Sequence, residues 1–253
     1  MTKHDIDDLS SLANEYRQKL GEDITSPIDI FKIARSMDDL TIVFKEFSEN
    51  ISGIYSKSNK SSIIAINSKM TMGRQAFSIA HELYHKEYDE TLSNGGTVVC
   101  AKTIESGDDN EKKADIFASF LLVPKDSLYQ RLKARGNLDG NIKMEDVISL
   151  EQFYGVSHQA MLLRLLKDKR ITEMQKVEFS KNVIKTACSL GYGSYLYEPC
   201  PFIKDQTYGR YIHLTNELYK EGFLSESKYK ELIKDSGTES VMYIGDEEEQ
   251  KID

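Results

Sequence analysis

Five consecutive residues, His81-Glu82-Leu83-Tyr84-His85, carry the side chains best suited to chemistry in this sequence. On a helix of about 3.6 residues per turn, two imidazoles four positions apart stack on one face, close enough to grip one cation. Glu82 follows the first histidine and lies beside that cation, where a base must sit to take a proton from activated water. Zinc suits such an N/O donor set, with Mn²⁺ or Fe²⁺ as possible substitutes. The pentapeptide alone is short, so a third ligand decides the case.

The candidates lie beyond a long excursion. Between His85 and Glu111 stand 25 residues with little helical signal, and loops longer than about 12–15 residues are often functional. Within it Val98-Val99-Cys100 reads as a short strand, and Cys100 as a small buried hydrophobe rather than a metal or redox residue. Glu111 to Leu122 then forms a helix that stops at Val123-Pro124. Two readings of its acidic residues stand side by side. Asp108 can be an N-cap with Glu111 as its capping-box partner, leaving Asp115 a surface charge. Alternatively, Glu111 and Asp115 are like charges one turn apart, which a bare helix disfavours and facing cationic groups would accommodate. A divalent ion opposite Glu111 and a ligand histidine opposite Asp115 supply both, the carboxylate fixing the imidazole's tautomer.

These residues need elements to position them. Asp5 to Leu20 has helical spacing, and Ser26-Pro27 reads as a cap and first turn of a short helix through Ser36. Thr41 to Phe47, Ile51 to Lys57 and Ser61 to Asn67 are β-branched and aromatic, predicting a three-stranded antiparallel sheet before an amphipathic helix over Thr71 to Glu87. The class is α+β, and the sheet's edge is expected to flank the metal cleft, where an extended peptide could add a strand. Further helices follow over Pro124–Ala134, Met144–Tyr154, Ser157–Lys167, Glu173–Leu190, Thr207–Glu221 and, capped by Ser225, to Lys234.

Composition sets outer bounds. Over 253 residues, 29% are charged and 40% hydrophobic, the profile of a soluble globular protein. The net charge of −8 argues against broad nucleic-acid binding, and about half of it comes from Asp246, Glu247, Glu248, Glu249 and Asp253 against Lys251. Three cysteines are too few and scattered for a disulfide framework or a cysteine-based zinc site. With no signal-peptide layout and no run of roughly 20 apolar residues, a cytoplasmic location without membrane contact is expected.

The motif pair also carries a family resemblance. HELYH, a 25-residue gap and then E-K-K-A-D-x-F-A-x-x-L-L-V-P resembles the ImmA/IrrE metallopeptidase family, whose pattern is H-E-x-x-H followed by E-x-x-A-[ND]-x-F-A-x-x-L-L-x-P. Similar proteins are gluzincin-like zinc peptidases, often encoded on mobile elements or in stress-response loci, that cleave a helix-turn-helix repressor. The resemblance implies a zincin-like core with His81, His85 and Glu111 as ligands of one Zn²⁺, Glu82 as general base and Asp115 orienting a ligand histidine. It covers about residues 5 to 168 and is weak beyond Arg170. The expected layout is a metallopeptidase domain over 1–170 and a helical C-terminal region with an acidic tail over 171–253.

Hydrolysis of a peptide bond in a protein substrate, a cognate repressor, is therefore the expected activity. The oxyanion donor is open among fourteen tyrosines, and Tyr84 is expected to pack into the core. Two other functions remain. Residues 150–166 resemble a helix-turn-helix that could read DNA through Ser157-His158-Gln159, although packing through Ile148, Leu150, Met161, Leu162 and Leu165 fits better, with His158 at the surface. A non-catalytic interaction protein with a vestigial metal site is the third.

Overall fold

The computed structural model describes residues 2–58, 61–92, 95–101, 109–137 and 141–238. Asp108 and the acidic tail lie outside them. Helices α1 (Lys3–Lys19) and α2 (Ile30–Ser36) precede strands β1 (Leu40–Lys45), β2 (Ile51–Lys57) and β3 (Ser62–Asn67). Helix α3 (Met72–Tyr88) follows, then β4 (Gly96–Ala101) and α4 (Asp109–Leu122). The class is α+β, with a five-stranded sheet in the order β4-β2-β3-β1-β5, β5 being Thr207–Gly209. Three of the four strand pairings are antiparallel, but β1 runs parallel to β3. Side-chain alternation marks Ile64 and Ile66 as core and leaves Ile63 exposed, yet alternation does not encode which neighbour a strand takes.

Helix α3 is a core element more than an amphipathic one. Thr71 caps it, accepting from the Arg74 N–H, and Ile79, Ala80 and Leu83 are fully buried. It packs between β2 and β3 on one side and α4 on the other. The spacing of α3 from α4 is set by aromatic rings. Phe117 of α4 meets Tyr84 at 5.6 Å and Tyr88 at 5.4 Å between ring centroids, and Tyr16 of α1 at 5.7 Å. Tilted and edge-on pairs of this kind add about 0.5–1.5 kcal/mol each beyond their buried area.

The far end of α4 is fastened by two buried arginines. Arg17 of α1 donates to the Leu121 carbonyl. Arg164, on helix α7 (His158–Lys167), donates to the Ser119 carbonyl at 3.0 Å and the Val123 carbonyl at 2.7 Å. The carbonyls that a helix terminus leaves unpaired are thus satisfied by cations, which also complement the helix dipole.

Beyond the core run α5 (Lys125–Ala134), α6 (Met144–Tyr154) and α7, then α8 (Glu173–Phe179), α9 (Val183–Ser189), α10 (Arg210–Lys220) and α11 (Glu226–Asp235). Three expectations change here. The first short helix opens at Ile30, because Asp29 caps it by accepting from the Lys32 N–H at 3.1 Å, while Ser26 N–H is held by Asp23. The expected helix over Glu173–Leu190 breaks at Asn182, which sits in the left-handed region at φ 57° and so supports a turn. Thr207 to Gly209 join the sheet as β5 against β1. At Gly209, with φ 79°, a Cβ would run into the Leu40 carbonyl, so only glycine lets this edge close. Among the described residues, no helix is long and apolar enough to cross a membrane.

Candidate metal centre

Helix α3 presents His81 and His85 on one face, and the first turn of α4 presents Glu111 opposite. The two Nε2 atoms are 3.3 Å apart. Glu111 reaches both, with Oε2 at 3.2 Å from His81 Nε2 and Oε1 at 3.2 Å from His85 Nε2. These spacings can be compared with what one cation requires. Zinc binds nitrogen and carboxylate oxygen at about 2.0–2.2 Å, and the edge of a tetrahedron drawn on such bonds is about 3.3–3.5 Å. The imidazole pair stands at about that separation, and Glu111 faces each ring with a different carboxylate oxygen at a similar distance, so the residues present fit a small divalent ion.

Each imidazole has a carboxylate behind it. Asp115 Oδ1 lies 3.0 Å from His81 Nδ1, and Asp89 Oδ2 lies 2.9 Å from His85 Nδ1. With the Nδ1 proton held there, each ring turns the Nε2 lone pair toward the cluster. Asp89 also accepts from Thr91 and from the Asn110 side chain at 3.2 Å, so it ties the end of α3 to the start of α4 next to Glu111. Asp89 was not expected from the sequence, although its position four residues after His85 on a helix is a local signal of the same kind.

The pKa shifts express the shortage of positive charge. Burial opposes a charge on His81, but the hydrogen bonds to Asp115 and Glu111 outweigh it and carry its pKa to about 10. His85 is raised too, burial being outweighed by Glu111 and Asp89. Burial pushes Glu111 up, yet the two histidines hold it far below the ordinary carboxylate range. Protons thus supply the positive charge that a cation would bring.

Glu82 is fully buried beside this cluster. Burial pushes its pKa up, against the pull of His81. It fits there because of Gly53 on β2, where a Cβ would overlap Glu82 Oε1. The strand is irregular at this point: its register against β4 shifts between Ile51 and Gly53, so that Gly53 pairs with Cys100. Bulges of this type re-aim a strand next to a site. Cys100 is buried, as expected, but its thiol is more than filler. It donates to Glu82 Oε2 at 3.3 Å and to Glu111 Oε1 at 3.8 Å. The donor atoms of His81, His85, Cys100 and Glu111 all lie within 4.8 Å of one another. Tyr84 packs into the core, its ring edge-on to His85 at 5.9 Å.

A model of the IrrE N-terminal-like domain, Peptidase M78, matches residues 38–166. That is half of the chain and includes every residue of the cluster. The chain belongs to this M78 peptidase family. Among solved structures, a Mycobacterium tuberculosis transcriptional regulator is similar to this M78 chain at 16% identity and a TM-score of 0.41. The similarity covers 62% of this chain and 46% of that one, so the M78 chain matches less than half of the regulator's length. None of the curated proteins compared with the chain matches it.

Proposed function

We propose that the protein is a zinc-dependent endopeptidase that hydrolyses a peptide bond in a protein substrate, a cognate helix-turn-helix repressor. The observation that carries this reading is the convergence of His81, His85 and Glu111, two imidazole nitrogens 3.3 Å apart with one carboxylate oxygen 3.2 Å from each, and a buried carboxylate, Glu82, beside them. The repressor as substrate rests on the family resemblance of the two motifs. His81, His85 and Glu111 are the residues that would hold the ion. A divalent ion there supplies Lewis acidity, which polarises a peptide carbonyl and makes water easier to deprotonate.

The chain's own groups do the rest. Asp115 and Asp89 keep the Nδ1 protons of His81 and His85, and so keep both Nε2 atoms free to ligate. Glu82 takes a proton from the attacking water and returns it to the leaving amine. Burial raises its proton affinity above that of an exposed carboxylate, which suits a group that must accept a proton. Exclusion of water around the fully buried carboxylate strengthens each of these contacts. The catalytic unit is assigned to residues 1–170, with 171–253 as a C-terminal region whose described residues are mainly helical and lend β5 to the sheet, and the cytoplasm as its compartment. Strand β4, at the edge of the sheet and against the cluster through Cys100, is the place for an extended substrate to add itself.

The DNA-binding alternative finds less support. Helices α6 and α7 do form a helix-turn-helix pair through Gly155 and the Ser157 cap. However, His158 is packed inward, with Nδ1 2.6 Å from Glu151 and Nε2 3.0 Å from the Phe179 carbonyl. Arg164 of α7 is buried against the end of α4. The decisive experiment co-expresses the chain and a repressor encoded beside it. Wild type should yield a discrete repressor fragment, whereas Glu82→Gln should bind metal equally and leave the repressor intact. Equal cleavage by both would remove Glu82 from the reaction, and metal uptake without cleavage by either would favour a non-catalytic binding role.

A further inference from the structure

A catalytic zinc site keeps one tetrahedral corner open for water, whereas a structural site fills all four with protein ligands. The centre described above rests on three residues, and the fourth corner is not vacant ground. Cys100 Sγ stands 3.8 Å from Glu111 Oε1. With metal–sulfur and metal–oxygen bonds of about 2.3 and 2.1 Å, the corresponding tetrahedral edge is about 3.6 Å. The thiol also lies within 4.8 Å of both imidazole nitrogens. Its one remaining contact is with the base: Sγ–H donates to Glu82 Oε2 at 3.3 Å, which is where the attacking water would have to donate. Meanwhile Glu82 Oε1, fully buried, has no hydrogen-bond partner among the described residues. Base and thiol face each other across the position that water needs.

We infer that Cys100 is a fourth protein ligand in a resting state, a latch that fills the open corner and keeps Glu82 from water. This rests on the metal-centre reading above and adds a regulated state to it. On coordination, the S–H bond breaks, the sulfur lone pair goes to the metal, and the proton passes to Glu82 Oε2, which already accepts it. One event therefore closes the coordination shell and protonates the base. The latch is built to lift. Strand β4 is at the sheet's edge and pairs with β2 alone. Cys100 is its penultimate residue, so freeing it breaks only the last rungs, Cys100 with Gly53 and Ala101 with Ile51. Lifting that end withdraws the thiol, empties the corner and returns a free carboxylate.

Cobalt substitution reads this directly, without a peptide substrate. Wild-type protein loaded with Co²⁺ should show a near-ultraviolet sulfur-to-cobalt charge-transfer band together with tetrahedral d–d absorption. Cys100→Ala should keep the d–d bands, which reports an intact fold and a loaded centre, and lose the charge-transfer band. Cys188→Ser and Cys200→Ser should keep both. Zinc affinity of Cys100→Ala, measured by chelator competition, should fall about tenfold or more, at least the effect seen on losing a residue that merely supports a ligand. Acetohydroxamate should change the d–d spectrum of Cys100→Ala at concentrations that leave wild type unchanged, because only the variant has a corner to offer. Cobalt uptake with identical spectra and identical acetohydroxamate response in wild type and Cys100→Ala would overturn the latch while leaving the three-ligand centre standing. A wild-type protein that takes up no cobalt would overturn both.

Discussion

Asp89 stands 2.9 Å from His85 Nδ1, four residues on, as the C-cap of the same helix. It does for the second imidazole what Asp115, from a different helix, does for the first. Two imidazoles with separately anchored tautomers would offer an ion a geometry fixed before it arrives. Removing the anchor should therefore weaken the grip on metal. Asp89→Ala is expected to lower zinc affinity about 10–100-fold, measured by competition with a chromogenic chelator. Asp115→Ala should behave alike, and an unchanged affinity in both would mean the carboxylates serve only packing.

Gly53 makes a sharper test, because the atoms nearest to a Cβ at this position all belong to Glu82. In Gly53→Ala the new methyl overlaps Glu82 Oε1 and must displace it. A shift of about 1 Å in a reacting group can cost roughly 100-fold in rate. Metal content should stay at the wild-type level while peptidase turnover drops by that order. Overpacking should cost only about 1–3 kcal/mol in a denaturant titration. Full activity in this variant would show that the base lies elsewhere.

Acidity enters through His81. Its pKa in the metal-free fold is raised to about 10 from the ordinary 6.5, so the folded state binds this proton more tightly than the unfolded chain. The resulting stabilisation is complete below about pH 6.5 and disappears as pH climbs through about 10. Metal must expel the same proton, since ligating imidazole is neutral. Zinc affinity should accordingly rise with pH across this interval while the metal-free protein loses stability. Calorimetry in buffers of different ionisation enthalpy should register proton release on binding. A pH-independent affinity between 6.5 and 9 would contradict this arrangement.

His158 separates scaffold from nucleic-acid reader. Cutting it to alanine leaves Glu151, itself fully buried, without one of its two partners, the other being the Tyr197 hydroxyl. A buried polar group stripped of its partner costs about 1–3 kcal/mol. His158→Ala should thus lower the urea midpoint. Gln159→Ala, next to it, should change neither stability nor repressor cleavage.

What the sequence disclosed follows a physical divide. The histidine pair, Glu82 and the carboxylates on α4 belong to local helical spacing; the structure brings His81 and His85 to hydrogen-bond distance of Glu111, and Asp115 to that of His81, with Glu82 buried beside them against Cys100. Asp89 was open to the same reasoning through its offset from His85, but the later acidic residues drew the assignment. Cys100 and Gly53 were not accessible in that way. They meet Glu82 only through the pairing of β2 with β4 and a shift of register between Ile51 and Gly53, which side-chain alternation does not encode. The parallel alignment of β1 with β3 and the entry of Thr207 to Gly209 into the sheet escaped for the same reason. The break at Asn182 turns on a single residue able to adopt a left-handed backbone.

Glu111 rides at one end of α4, and the guanidinium groups of Arg17 and Arg164 bolt down the other, roughly 15 Å away at about 1.5 Å per residue. A rod clamped at its foot carries any disturbance there to its tip. Loosening either bolt should tilt the carboxylate out of register with the imidazoles, so damage deep in the scaffold would surface first as a protein that folds yet cannot hold its ion.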